Sequence, residues 1–158
     1  MNNRIKPLLS TNGAQLKEAL TLVHSVFQEF EAPDYANEGI ERFKQFITFD
    51  EITQQLVAKE LMIWSHFSDE SKMTGMIALR LPNHISLLFV DKAYHKQGIA
   101  RRLVETVATY CQTFHNISEL TLNSSPYAIK AYKHLSFSPT DIQQEIDGII
   151  FTPMKKIL

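Results

Sequence analysis

The chain has 158 residues, and its 16 lysine and arginine residues nearly balance its 17 aspartate and glutamate residues, leaving a formal net charge of −1. A chain of this length can bury a substantial core, and the sequence predicts a single domain over residues 1–158. The lysine and arginine residues form no cluster in the sequence, so no nucleic-acid partner is predicted. No apolar run approaches the roughly 20 residues that cross a bilayer, and residues 1–9 lack the apolar core of a secretion signal. These features predict a cytoplasmic protein with no membrane partner.

Apolar periodicity predicts a chain in which helices and strands are mixed. The strands are short apolar runs bounded by turn residues, and the helices carry apolar residues at every third or fourth position. In chain order, the predicted elements of the first half are a strand over 4–8, helices over 13–30 and 40–48, a helix capped by Asp50 that runs to residue 59, and strands over 61–66 and 73–81 joined by a turn at 68–72.

The most informative segment covers residues 85–103. A predicted strand over 85–90 ends in a polar turn at 91–97, and Gly98 then begins a helix with one apolar stripe. The first turn of a helix presents unpaired N–H groups that carry partial positive charge, and a glycine there lets a phosphate approach them. The segment therefore suits an anion-binding site.

Basic residues around this turn leave two interpretations open. Lys96, Arg101 and Arg102 lie where cations are normally unfavourable, and an anionic ligand would offset their placement. Alternatively, Arg101 pairs with Glu105 one turn later and the cations are solvated surface. Helix physics alone does not decide between them.

Residues 89–103, FVDKAYHKQGIARRL, resemble the acyl-CoA-binding motif of the GNAT superfamily of N-acetyltransferases. In that motif Gln or Arg, two residues, Gly, one residue and Gly or Ala follow a strand. Here His95 stands where the family usually has Gln or Arg. The family contacts the pyrophosphate mainly through backbone N–H groups of this loop, so the resemblance implies binding here without a side-chain contribution from position 95. The residues that the resemblance assigns to acyl-CoA are Leu88, Phe89, Val90, His95, Lys96, Gln97, Gly98, Ile99, Ala100, Arg101 and Asn123.

A second segment, SSPYAIKAYKHLSF over residues 124–137, follows a short predicted strand at 120–123. Ser125 before Pro126 predicts a helix start, with a side-chain cap followed by proline at the first helical position. Ser136 replaces the glycine that the family has at the helix exit, which implies a less relaxed exit. The residues that match the family's second signature are Asn123, Ala128, Tyr132, Leu135 and Phe137.

The order of the elements predicts an α/β (α+β) fold with a mixed, mostly antiparallel sheet of about six to seven strands and helices on both faces. Strands over 140–145 and 148–157 form a closing hairpin around Asp147-Gly148. The family's acyl-CoA N-acyltransferase-like fold is similar. It implies that the motif strand and the next strand are parallel neighbours that splay apart, with the acyl-CoA arm in the opening. A homodimer through the closing strand is an analogy with relatives.

The resemblance implies an N-acetyltransferase that moves an acetyl group from acetyl-CoA to a primary amine by direct attack. A backbone N–H among Leu88, Phe89 and Val90 would stabilise the negative charge on the carbonyl oxygen. Tyr132 matches the family's tyrosine that protonates the departing thiolate. Without the resemblance, Tyr132 is better explained as a packing residue.

The general base and the acceptor remain open in the sequence. Glu29, Glu31, His84 or a water chain could accept the proton of the amine. Residues 30–43 mix four acidic residues with aromatic ones, which suits a small cationic amine such as a polyamine or an aminoglycoside-like compound. An ordinary acidic surface, a peptide N-terminus or a protein lysine are the alternatives.

Two further expectations complete the sequence-based prediction. The off-pattern residues His95 and Ser136 leave room for a catalytically weak module that binds acyl-CoA as a sensor or regulatory partner. The six histidines are scattered without metal-ligand spacing, so no metal is predicted. Cys111, the single cysteine, lies on the apolar stripe of its helix and is expected in the core.

Overall fold

The computed structural model describes residues 4–158. The strands are β1 (Ile5–Leu8), β2 (Leu61–Phe67), β3 (Met73–Arg80), β4 (His84–Val90), β5 (Glu119–Ser124), β6 (Ser138–Pro139), β7 (Gln144–Ile146) and β8 (Ile149–Ile157). The α-helices are α1 (Gly13–Phe30), α2 (Asn37–Phe46), α3 (Phe49–Val57), α4 (Ile99–His115) and α5 (Ile129–His134). Two short 3-10 helices lie at Ala32–Asp34 and Lys92–Tyr94. No helix within this range is long and apolar enough to cross a membrane.

One mixed sheet organises these elements. Its strand order is β1-β2-β3-β4-β5-β8-β6, and β7 pairs with β8 outside this path. β4 and β5 are the parallel neighbours, and the other paired strands are antiparallel. The parallel pairing consists of His84 opposite Thr121 and Ile85 opposite Leu122, after which the two strands diverge. The fold is therefore the predicted one, with an open gap in the sheet beside the second half of β4.

The sheet separates two hydrophobic cores. On one face, the apolar stripe of α1, with Leu16, Val23 and Phe27 buried, packs on β3 and β4 together with residues of α2 and α3. On the other face, α4 buries Leu103 and Val107 against the sheet. Amphipathic helices of this kind gain most of their stability from such burial. Cys111 belongs to the second core and is fully buried, as its place on the stripe predicted.

A β-bulge in β4 distributes its apolar run between the two cores. Ala78 pairs with Leu87 and the next residue of β3 pairs with Ile85, so Ser86 is the extra residue. Ile85 therefore faces the α4 side, whereas Leu87 and Phe89 face the α1 side. The bulge lies where the pairing of β4 with β5 ends, so the second half of β4 borders the gap.

Four of the local predictions differ from the structure. The sheet has eight strands instead of six to seven, and the strand predicted over 140–145 is reduced to β7 at Gln144–Ile146. The third helix is capped by Thr48, whose hydroxyl accepts from the N–H of Glu51, and Asp50 lies in its first turn. Residues 126–128 form a turn, so α5 begins at Ile129 and not directly after Ser125.

Candidate active site

The free edge of β4 borders the gap in the sheet. The N–H of Asp91 donates to the carbonyl oxygen of Thr74 on β3 at 2.8 Å. Because N–H groups alternate in direction along an antiparallel strand, Phe89 also points its N–H at β3, whereas Leu88 and Val90 point theirs into the gap. Of the three residues predicted to offer an N–H to the carbonyl oxygen, Leu88 and Val90 are therefore placed to do so, and Phe89 is not.

The loop between β4 and α4 presents a row of unpaired backbone N–H groups. Gly98 precedes α4 with a φ of 79°, and Lys96 has a φ of 62°. Within residues 4–158, the N–H groups of residues 96–101 have no backbone acceptor. A Cβ on Gly98 would meet nothing within 4 Å, so the surface above this helix start is open. This arrangement fits a phosphate-bearing ligand.

Arginine side chains hold this loop in place. Arg102 donates from Nε to the oxygen of Gly98 at 3.4 Å and from its terminal nitrogen to the oxygen of Gln97 at 3.2 Å. Arg101 donates to the oxygen of His134 at the end of α5, at 3.1 Å, and forms no ion pair with Glu105 in the part of the chain that the structure describes. The sequence predicted a cofactor contact for Arg101. It did not predict that Arg102 stabilises the loop, because that role depends on side-chain hydrogen bonds to loop carbonyl oxygens.

His95 turns away from the start of α4 and into the mouth of the gap. Its Nε2 lies 2.7 Å from the carbonyl oxygen of Val90. Its ring lies 5.5 Å from the ring of Phe30, which stacks on Tyr127 at 5.0 Å. The end of α1 is thereby in contact with segments that follow both β4 and β5.

A cavity of about 660 Å³ opens on the α1 side of the gap. Its apolar wall comes from α2, α3, β4 and β8 and includes Phe43, Phe46, Ile47, Ile52, Leu87, Phe89, Ile149 and Phe151. Its polar groups are Glu31, Tyr35, Arg42, Glu51, Gln55, Arg80, His84, Ser86, Asn123, Ser125, Tyr132 and Asp147. Leu88 and Asn123, both predicted to contact the cofactor, lie at this cavity, whereas residues 95–101 lie outside its lining.

Tyr132 contributes to both sides of the sheet. It packs against the α4-side core, with its ring 5.7 Å from that of Phe137, and it also lines the cavity on the other side. Burial raises the pKa of its hydroxyl strongly, and the nearby Glu31 and Tyr35 raise it further. The phenol is therefore held in its protonated form, as a proton donor requires.

The exit of α5 keeps Tyr132 in position. Ser136 has a φ of 72°, which lies in the left-handed region that favours glycine. The N–H of Phe137 donates to the oxygen of Tyr132, and Lys156 donates from Nζ to the oxygen of Leu135 at 2.8 Å. The predicted strained exit is confirmed in geometry, and these hydrogen bonds stabilise it.

Glu31 lines the same cavity as Tyr132, close enough for its charge to act on that hydroxyl. It terminates α1, and its side chain is half-buried. Burial raises the pKa of its carboxyl group, and the nearby Ser125 hydroxyl opposes part of that rise. Ser125 is 4% exposed, and its Oγ has no hydrogen-bond partner within residues 4–158. The cap role predicted for Ser125 is therefore wrong, since its hydroxyl accepts no backbone N–H among the described residues and Ala128 is the N-cap residue of α5.

The other candidate bases are placed differently. Glu29 pairs with Lys92 at 2.6 Å on the surface and does not line the cavity. His84 does line it, at the end where β4 and β5 still pair, with Nδ1 2.8 Å from the hydroxyl of Thr121. Burial, with a smaller contribution from Arg80, lowers the pKa of His84 to about 4.

The acidic lip predicted over residues 30–43 is only partly formed. Glu31, Tyr35 and Phe43 line the cavity, whereas Asp34, Glu38 and Glu41 do not. The structure adds charged groups that sequence reasoning missed, namely Arg42 within this segment and Glu51, Arg80 and Asp147 outside it. Arg42 and Asp147 form an ion pair. Among residues 4–158, no three histidine, cysteine, aspartate or glutamate side chains are grouped to hold a metal.

Comparison with known proteins identifies relatives of this architecture. The family model described as the acetyltransferase (GNAT) domain matches residues 31–158. Comparison with curated proteins finds no match. The GCN5-related N-acetyltransferase from Rhodopseudomonas palustris superposes with a TM-score of 0.77 at 17% identity, over 100% of this chain and 97% of that one.

Two further solved structures have the same fold. The PaiA N-acetyltransferase from Thermoplasma acidophilum, in complex with coenzyme A, has a TM-score of 0.76 at 17% identity over 100% of both chains. An aminoglycoside 6'-N-acetyltransferase complexed with coenzyme A has a TM-score of 0.68 at 12% identity, over 97% of this chain and 96% of that one. At these identities, the likeness shows a shared fold.

Proposed function

The chain belongs to the GNAT acetyltransferases, and on that premise we propose that it transfers the acetyl group of acetyl-CoA to the primary amine of a small molecule. The observation that carries the proposal is the position of Tyr132, which packs against the α4-side core and lines the cavity that Leu88 of β4 also lines. A hydroxyl that can serve as donor to the leaving sulfur and the N–H of Leu88, both at this cavity, support the proposal.

Two features support acetyl-CoA as the acetyl donor. The unpaired N–H groups of residues 96–101 suit its pyrophosphate, because a helix start with a left-handed glycine admits an anion to several donors at once. The free edge of β4 suits the amides of its pantetheine arm, because an extended chain of amides can pair with exposed N–H and C=O groups. The loop and the edge are consecutive in the chain, so one ligand can use both.

The chemistry assigns a role to each part of the gap. A neutral amine attacks the thioester carbonyl, and the N–H groups of Leu88 and Val90 stabilise the negative charge that develops on the oxygen. Tyr132, whose phenol is protonated at neutral pH, donates its proton to the departing sulfur.

The cavity supports a small-molecule acceptor. Its volume of about 660 Å³ lies in the range of small-ligand sites, and its walls combine aromatic rings with one half-buried carboxylate near Tyr132. Aromatic faces and a carboxylate both favour a cationic amine. A structural neighbour is named as an aminoglycoside N-acetyltransferase, which agrees with this acceptor class. The cytoplasmic location, the single domain and the homodimer stay predictions from the sequence.

Calorimetric titration of the purified protein with acetyl-CoA, coenzyme A and ATP tests the cofactor first. We expect micromolar binding of the two coenzyme A compounds and none of ATP. A screen of small primary amines, followed by free-thiol release, then tests turnover. Binding without turnover on any amine would favour the sensor or regulatory module, and absence of binding would contradict the acetyl-CoA site.

A further inference from the structure

We infer that Glu31 is the general base that deprotonates the acceptor amine, an inference that rests on the proposed acetyl transfer. Glu31 lies in the wall of the cavity that also contains Tyr132 and Ser125. The proton acceptor and the proton donor of the reaction thus lie at one cavity, on segments that the chain separates by a hundred residues.

The end of α1 holds the backbone at Glu31 next to the segments that follow β4 and β5. The backbone N–H of Glu31 donates to the oxygen of Phe27 at 2.9 Å, so the helix is hydrogen-bonded to its last turn. The adjacent Phe30 ring contacts His95, which follows β4, and Tyr127, which follows β5. The backbone that carries the Glu31 carboxylate is therefore anchored at the cavity, which favours proton transfer to a positioned base.

The surroundings of Glu31 make its carboxylate a stronger base than an exposed one. Burial raises its pKa, which brings it closer to that of the ammonium group that it must deprotonate. The buried Ser125 hydroxyl, without a partner within residues 4–158, is a donor near this carboxylate. The titratable and charged side chains that face the same cavity are Tyr35, Tyr132, His84, Arg42, Asp147, Glu51 and Arg80.

The competing groups are disfavoured by position or by charge state. Glu29 is paired with Lys92 at the surface. His84 lies at the closed end of the gap, and a pKa of about 4 makes it a weak base. Asp147 is paired with Arg42, and Glu51 accepts a hydrogen bond from Gln55 in the exposed first turn of α3. Glu31 remains as the half-buried carboxylate without an ion pair among the described residues.

The proton balance closes with two side chains. Glu31 takes one proton from the ammonium group, and the freed nitrogen lone pair forms the C–N bond to the thioester carbon. The C–S bond breaks as Tyr132 protonates the sulfur, and the resulting phenolate takes the second proton from the nitrogen of the new amide. Glu31 then releases its proton to solvent, so one proton is released for each amide formed.

The test compares Glu31→Gln with Glu29→Gln, which removes an equivalent carboxylate from the same helix but outside the cavity. We expect E31Q to lower kcat/KM near neutral pH by about 10²–10⁴-fold, the usual contribution of a general base. It should bind acetyl-CoA with unchanged affinity, and E29Q should remain within about twofold of the unsubstituted protein. The activity of E31Q should recover as the pH approaches the amine's own pKa of about 10.

The pH profile separates a base from a structural residue. In the unsubstituted protein, kcat/KM should rise with pH through the raised pKa of Glu31, because the carboxylate is the active form, and E31Q should lack that rise. If E31Q does not fold, Glu31→Asp should keep the rise at a lower kcat. A wild-type kcat and profile in E31Q would overturn the role of Glu31 alone, whereas no turnover in the unsubstituted protein would overturn the proposed function and this role together.

Discussion

The proposed role of Tyr132 in catalysis can be tested separately from cofactor binding, because that role depends on its hydroxyl alone. Replacing it with Phe keeps the ring that packs on Phe137 and removes only the proton donor. We expect Tyr132→Phe to lower kcat by about 10²–10⁴-fold with an unchanged Kd for acetyl-CoA, measured by thiol release and by calorimetry. Tyr127→Phe is the matched control, because Tyr127 is 51% exposed and its ring alone stacks on Phe30. An unchanged kcat in Y132F would reduce Tyr132 to a packing residue.

His84 links the cavity to the pH dependence of folding. Its pKa falls from 6.5 to about 4 in the folded protein, mainly because of burial. Between these two values the unfolded chain binds a proton that the folded chain does not, so the free energy of unfolding falls as the pH falls through this window. The loss is up to about 1.4 kcal/mol for each pH unit.

Denaturant unfolding of His84→Gln between about pH 7 and pH 4 measures this effect. We expect the substituted protein to lose less stability than the unsubstituted one as the pH falls, because the group that takes up the proton is gone. His134→Gln, at an exposed position on α5, should keep the original slope. Equal slopes for the unsubstituted protein and H84Q would show that His84 does not contribute.

At the scale of single elements, the sequence predicted the central parts of the helices better than the residues at which they begin. The helices α1 and α4 were predicted from their apolar stripes, because burial of one face determines both. Thr48 and Asp50 are both good caps, and tertiary packing of Phe49 against the α1-side core favours the earlier start. Ser125 was assigned to a cap from local sequence, but β5 extends to Ser124 and a turn at 126–128 separates Ser125 from α5, so Ser125 lies at the cavity instead.

Gly98 determines how α4 presents its N–H groups. Its φ of 79° lies in the left-handed region, where an alanine costs about 1–2 kcal/mol, but a Cβ there would meet nothing within 4 Å. We therefore expect Gly98→Ala to fold, to lose about 1 kcal/mol of stability and to weaken acetyl-CoA binding about tenfold as the loop shifts to relieve the strain. Calorimetry and denaturant unfolding measure the two effects.

Gly13→Ala is the control for this substitution, because a Cβ on Gly13 lies 3.6 Å from the Phe49 ring, an ordinary contact, far from the loop. It should leave acetyl-CoA binding unchanged. If G98A lost stability but bound acetyl-CoA as tightly as the unsubstituted protein, the helix start would not be part of the cofactor site.

At the scale of the whole molecule, the cavity is assembled from segments that no local pattern connects. Glu51 on α3, Arg80 on β3 and Asp147 in the last turn lie at one cavity because the sheet order brings their elements together. Local sequence contains motifs for the cofactor loop and Tyr132, whose positions follow from single strand–helix units. It contains none for the acceptor side, which depends on how α2 and α3 pack across the sheet.

The contact between α2 and the last hairpin is the point at which this assembly is most sensitive. Gly39 of α2 packs against Gly148, and a Cβ on Gly39 would lie 2.1 Å from the carbonyl oxygen of Gly148. Because that neighbour is backbone, it cannot move aside as a flexible side chain would. One turn later on α2, Arg42 pairs with Asp147, so the same contact positions both residues at the cavity.

Gly39→Ala should therefore separate the acceptor side from the cofactor side. Overpacking should lower the free energy of unfolding by about 1–3 kcal/mol. The higher helix propensity of alanine offsets at most about 1 kcal/mol of this loss. The displaced α2 should raise KM for the amine, because Phe43 and Phe46 form part of the cavity wall, and leave the Kd for acetyl-CoA unchanged, because the loop at Gly98 lies outside that lining. Denaturant unfolding, steady-state kinetics and calorimetry measure these three quantities, with Gly13→Ala as the helix control. A weakened Kd for acetyl-CoA at an unchanged KM for the amine would contradict the placement of the acceptor between α2 and the sheet.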